Sequence, residues 1–132
     1  MADERVLIDT SLLIDHLRRT KKDRTVFYQA ARRYECVVSA ITEFEFRAGS
    51  TAANQEFVAE LLDLTPVLQF DSACVNAAVT IYRDLRTRNQ LIALPDLLIA
   101  ATAVAHQLPL LTLNLSHFER IASLKLLDSP KP

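Results

Sequence analysis

Each short apolar run in this sequence is followed by a stretch with helical spacing, and that alternation constrains the fold more than any other feature. It starts at Val6–Asp15 (VLIDTSLLID), where an apolar run meets an acid, two hydroxyls and a new helix. Continuous apolar runs mark strands buried on both faces. Strands separated by helices need crossover connections, so the pattern predicts a parallel sheet with helices on both faces. In such a sheet strand C-termini and helix N-termini gather at one edge, where open α/β sheets put their ligands. Asp9 stands at that edge.

Taken in order, the spacing predicts a first strand over Arg5–Ile8 and a helix over Thr10–Arg18, which Asp9, Thr10 or Ser11 can cap. Asp15 is placed on its wet side, paired with Arg18 or Arg19. A basic connector to Arg24 reads as a solvated loop, followed by a helix over Thr25–Arg33 and a strand over Cys36–Ser39. Next come a helix over Ile41–Ala48, stopped by Gly49 in a left-handed turn, and another over Asn54–Leu62. Pro66 marks Thr65–Leu68 as an edge strand. Asp71 caps a long helix to about Arg88, with Ala78, Ile81, Tyr82 and Leu85 inward and Arg83, Arg86 and Arg88 outward. Pro95 opens a nearly all-apolar helix to His106. Leu110–Thr112 reads as a fourth strand, Ser116–Arg120 as a helical turn and Leu124–Leu127 as a fifth strand.

With 132 residues, half of them hydrophobic, the expectation is one domain over 1–132 with a real core. Lys+Arg 15 against Asp+Glu 16 leaves no global basic field, so any nucleic-acid contact must be local. A lone glycine, Gly49, excludes Walker and dinucleotide loops, which need several for close approach to phosphate. Cys36 and Cys74 lie in apolar surroundings without metal-ligand spacing and read as buried thiols in a reducing compartment. No run approaches the roughly 18 apolar residues of a membrane span, and the N-terminal MADERVLID lacks signal-peptide character. A cytoplasmic protein is expected.

Three acids reach the sheet edge. Capping is the ordinary use of Asp9, although Thr10 and Ser11 could cap as well. Glu43 has Arg47 four residues on, the order favoured for an exposed pair, whereas Glu45 has Ile41, Thr42, Ala48 and Gly49 for neighbours. Glu45 therefore lies on a small, apolar face, unless it closes a capping box with Thr42. Asp96 sits in the first turn of its helix, where the dipole alone favours an acid by about 0.3 to 1 kcal/mol. Beyond the fourth strand stands Asn114, flanked by Thr112 and Ser116, and such an Asn commonly caps its own turn. His16, His106 and His117 share no zinc-site spacing and read as ordinary helix or loop residues. Three converging carboxylates without a lysine or arginine repel one another, and a divalent cation with oxygen ligands, Mg²⁺ or Mn²⁺, relieves this. Such an ion suits phosphodiester hydrolysis.

The stretches VLIDTSLLID, SAITEFEFRAG and LPDLLIAATAVAHQLPLLTLNLSHFERI, spaced over nearly the whole chain, closely resemble a PIN domain of the toxin type. The resemblance implies that Asp9, Glu45 and Asp96 are the catalytic, metal-holding acids, with Thr10 or Ser11 helping to hold the metal's water. Family members often carry a fourth acid where this sequence has Asn114, close to Thr112, which puts a second metal in doubt. It further implies a Mg²⁺-dependent endoribonuclease, the toxin of a VapBC-type pair, homodimeric and inhibited by a small VapB-like antitoxin. Arg83, Arg86 and Arg88 are candidate contacts to the RNA backbone. Two other readings compete. A phosphoacceptor signalling module would want a second acid adjoining Asp9 and a lysine after the fourth strand, and has neither. A catalytically weak PIN domain acting as an interaction module is favoured by Asn114.

Overall fold

The computed structural model describes residues 4–131. Met1–Asp3 of the stretch tested for signal-peptide character, and Pro132, lie outside them. Four parallel strands, β1 (Arg5–Ile8), β2 (Glu35–Ser39), β3 (Val67–Leu68) and β4 (Leu110–Leu111), form a sheet in the order β3-β2-β1-β4. The connections carry α1 (Thr10–Arg18), α2 (Val26–Arg33), α3 (Ala40–Ala48), α4 (Gln55–Asp63), α5 (Ser72–Thr87) and α6 (Leu94–Ala105), and α7 (Leu115–Phe118) follows β4.

Alternation along the strands divides the core between the two faces. Leu7, Val37 and Leu110 pack with α5 and α6, through Ala78, Ile81, Leu85, Leu97 and Ala100, and with Phe118 of α7. Val6, Ile8, Cys36, Val38 and Leu111 pack on the other face with Leu12, Leu13, Phe27, Val58 and Leu61. Side chains on a strand point to opposite faces in turn, so each of these short runs serves both layers. Both cysteines are buried free thiols, and burial raises the thiol of Cys36 to about 11. No described helix is long and apolar enough to cross a membrane.

Several expectations need correction. Leu124–Leu127 is not a strand: Leu126 makes one parallel bridge to Leu110, supported by bonds from Leu110 N to Lys125 O (2.9 Å) and from Leu127 N to Leu110 O (3.0 Å). β4 has only two residues for a ladder, so the segment covers that edge without extending the sheet. β3 is an edge, as Pro66 predicts, but starts at Val67, because Thr65 turns its hydroxyl back to the carbonyls of Leu61 and Leu62. Tyr82 is 40 % exposed, not inward. The buried stripe of α5 is Cys74, Ala78, Ile81 and Leu85, and Tyr82 continues an outer stripe with Val75 and Val79. Gly49 ends α3 at φ −84°, in right-handed backbone. The left-handed stops are Asn89 (φ 55°) and Gln107 (φ 56°), each followed by a bond back to the last turn, Gln90 N to Leu85 O and Leu108 N to Ala103 O.

Candidate active site

β1 delivers Asp9 to the sheet edge as the N-cap of α1, its Oδ1 accepting from the Ser11 amide at 3.1 Å. The Ser11 hydroxyl donates to the same oxygen, and the Thr112 hydroxyl donates to Oδ2 at 2.7 Å. Both hydroxyls are themselves held by the loop after β4: Leu113 N–H donates to Ser11 Oγ (3.1 Å) and Asn114 N–H to Thr112 Oγ1 (2.9 Å). Each carboxylate oxygen thus ends a short relay from amide through hydroxyl. Asp9 is 2 % exposed, and no described Lys, Arg or His side chain forms an ion pair with it. Burial raises its pKa above 3.8, the hydrogen bonds from Ser11 and Thr112 lower it in part, and the negative charge of Asp96 raises it again.

Glu45 is tied to the residue next to Asp9. Thr10, the residue after Asp9, donates its hydroxyl to Glu45 Oε1 at 2.7 Å. Thr10 Oγ1 also lies 3.0 Å from Thr42 Oγ1, itself 3.3 Å from Ser39 Oγ. Thr10 has one proton and gives it to Glu45, so Thr42 donates to Thr10. The capping-box alternative fails, because α3 is capped by Ser39, whose Oγ accepts from Thr42 N at 3.0 Å. Glu43 instead reaches Arg47 at 3.5 Å on the solvent side, and Asp15 reaches Arg19 at 3.0 Å. The facing argument for Glu45 over Glu43 therefore holds in the geometry.

Asp96 comes from the opposite face of the sheet, in the first turn of α6 after Pro95. Its Oδ2 lies 3.2 Å from Nδ1 of His117, which belongs to α7. Sequence reasoning missed His117. It shares no spacing with another histidine, and the signal available was only its place just beyond the fourth strand, on the acidic edge. Asn114 precedes α7 without a side-chain cap bond, so the capping reading of its side chain does not hold. Of the three arginines on α5, Arg83 and Arg86 are exposed. Arg88 is committed to Asp84 (2.6 Å), Gln90 Oε1 (2.6 Å) and the carbonyl of Arg120 (2.6 Å).

The donors suit a hard divalent ion: oxygen atoms, a buried carboxylate without a counter-charge, and a second carboxylate close enough to raise its pKa. Among the described residues no three His, Cys, Asp or Glu side chains are drawn together as a direct metal cage.

A parallel sheet in this order, with an acid after β1 and others in α3 and α6, fits a PIN domain, and the model of that domain matches residues 6–124. The chain belongs to the PIN domain family. Within it, the chain is 34 % identical over 124 residues to Ribonuclease VapC1 of Methanocaldococcus jannaschii, covering 90 % of this chain and 82 % of the relative. It is 32 % identical over 120 residues to Ribonuclease VapC10 of Mycobacterium tuberculosis, covering 91 % and 90 %. The fold matches that in the DNA-bound VapBC structure from Salmonella typhimurium with a TM-score of 0.85 at 22 % identity, over 98 % of this chain and 100 % of that one.

Proposed function

We propose that this protein is a Mg²⁺- or Mn²⁺-dependent endoribonuclease, the toxin of a VapBC-type pair restrained by a small VapB-like antitoxin. The observation that carries this reading is Asp9, a buried carboxylate without a cationic partner, coupled to Asp96 and joined through Thr10 to Glu45. The names of the VapC ribonuclease relatives support the substrate class.

Asp9 and Asp96 would hold the ion, with Glu45 beside them, and Ser11, Thr112 and Thr10 fix the carboxylates in place. A bound divalent ion supplies a hydroxide nucleophile and charge stabilisation at the phosphate. Ser11 and Thr112 occupy the lone pairs of Asp9 on the protein side, leaving the others for the ion. Glu45 receives a proton donor from Thr10 and so is held as an acceptor for a water. Arg83 and Arg86 are available to RNA phosphates, whereas Arg88 must first leave Asp84. Beside Glu45 a groove lined by Ile14, Leu17, Phe46 and Gly49, together with Arg18 and Asn54, offers a seat for an antitoxin segment.

Phe44, 71 % exposed on α3, and the outer stripe of α5 formed by Val75, Val79 and Tyr82 supply apolar surface for a homodimer away from the acids. RNA cleavage by the purified chain with and without Mg²⁺ or Mn²⁺, and by Asp9→Asn, tests the proposal. Metal-dependent cleavage lost in Asp9→Asn is expected, and undiminished cleavage by that variant would sink it. The neutral Asn114 favours a second reading, an interaction module with weak catalysis, which gains if neither metal produces cleavage or a melting shift.

A further inference from the structure

Resting on the nuclease reading above, we infer that Thr42 is a positioning residue for Glu45: with Ser39 it aims the single proton of Thr10 at the Glu45 carboxylate, and so ties that acid to the residue after Asp9.

The hydroxyls of Ser39, Thr42 and Thr10 stand in a row that ends on Glu45 Oε1, with separations of 3.3, 3.0 and 2.7 Å. Ser39 and Thr42 are fully buried, so their polar atoms must find partners within the protein. Each hydroxyl has one proton to give. Ser39 Oγ accepts from Thr42 N–H at 3.0 Å, where it caps α3, and its own proton goes to Thr42 Oγ1. Thr42 therefore sends its proton on to Thr10, and Thr10 gives its own to Glu45. The order agrees from the other end, because a carboxylate only accepts and makes the shortest contact of the row. Hydroxyls linked head to tail also polarise one another, which strengthens the last bond.

The row joins two elements. Thr10 opens α1, while Thr42 and Glu45 lie three residues apart on one face of α3, and the two helices pack together. No described ion pair ties them, since Asp15–Arg19 and Glu43–Arg47 each stay within one helix. Among the described residues no acceptor continues the row beyond Ser39, so it holds a geometry and conducts no proton.

Two substitutions in the full chain separate positioning from packing. Thr42→Val keeps the side-chain volume and removes the hydroxyl, whereas Thr42→Ser keeps the hydroxyl and loses a methyl group. If Thr42 served packing alone, serine would be the worse replacement, because the lost methyl leaves a cavity. Positioning ranks them the other way. With Mg²⁺ or Mn²⁺ and RNA, Thr42→Val should lower kcat about tenfold or more at little change in KM, the scale on which groups supporting a metal site act, and Thr42→Ser should recover most of it. A second readout needs neither metal nor RNA. In nuclear magnetic resonance of the parent, the Thr10 hydroxyl proton should couple across its hydrogen bond to the Glu45 carboxylate carbon, and it should exchange faster in Thr42→Val. Parental kcat in Thr42→Val, equal loss in Thr42→Ser, or a Thr10 proton directed at Thr42 overturns this inference and leaves the nuclease reading standing. If Thr42→Val does not fold, the Thr10 proton of the parent and the kcat of Thr42→Ser decide. A folded parent that cleaves no RNA with either metal overturns both.

Discussion

Asp9 pairs function with a local cost. Because folding raises its pKa above 3.8, the folded state takes up a proton before the unfolded chain does. The stabilising contribution of the protonated carboxyl is complete below 3.8 and is lost as pH rises through the folded-state value. The metal-free parent should therefore lose stability relative to Asp9→Asn as pH rises through that window, measured as the difference between their melting temperatures. A constant difference would refute the assignment. The relays give a second expectation: Thr112→Val strips Asp9 Oδ2 of its buried donor and should cost about 1 to 3 kcal/mol along with most of the cleavage. Denaturant unfolding and an RNA assay read the two losses. Glu45→Gln should likewise abolish cleavage and Glu43→Gln leave it within a few-fold, since only Glu45 is tied to Thr10. Equal damage from the two would refute the roles assigned to them.

Among the elements, α1 and α2 are locked by a buried histidine. His16 Nδ1 meets Thr25 Oγ1 at 2.6 Å, its ring packs edge-on to Phe27 and stacked on Phe57, and Lys22 closes the end of α1 by bonding the carbonyls of His16, Leu17 and Arg19. Burial, with the charge of Lys22, holds the imidazole below its ordinary 6.5. The unfolded chain then binds the proton first, so this contribution is complete above 6.5 and is lost as pH falls from there through the folded value. His16→Gln should flatten the slope of stability as pH falls below 6.5, seen in urea unfolding, and an unchanged slope would exclude His16 as its source. The existence and order of the elements were legible because apolar runs and caps are local signals: Asp71 caps α5 and Asp9 caps α1, as their positions suggest. Partners contributed from elsewhere in the chain were not legible. His117 finds Asp96 across 21 residues and Thr112 finds Asp9 across 103, and no periodicity encodes either meeting. The fifth strand failed for a related reason, since a strand exists only when its neighbour is long enough to pair with it.

For the molecule as a whole, the exposed apolar stripe of α5 and Phe44 predict a dimer at micromolar concentration, and sedimentation as a monomer would count against it. With a single well-held ion, saturating Mg²⁺ or Mn²⁺ at a hundredfold over its dissociation constant should stabilise the protein by about 2.7 kcal/mol. Asn114→Asp should enlarge the melting shift by offering a second ion its own carboxylate, and a smaller shift would place residue 114 outside the metal's reach. β1 lies between β2 and β4, and the backbone N–H groups of Leu7 and Asp9 bond to the carbonyls of Pro109 and Leu111. The first of the four described strands is thus finished by the last of them. A ribosome that has released everything through α5 has delivered Asp9 and Glu45, but neither Asp96 nor the β4 backbone and Thr112 hydroxyl that complete the surroundings of Asp9. The nascent chain therefore carries an incomplete acidic edge until β4 is made, and a truncated product ending before β4 lacks the completed edge. On the nuclease reading proposed above, activity arrives only with the closing of the sheet.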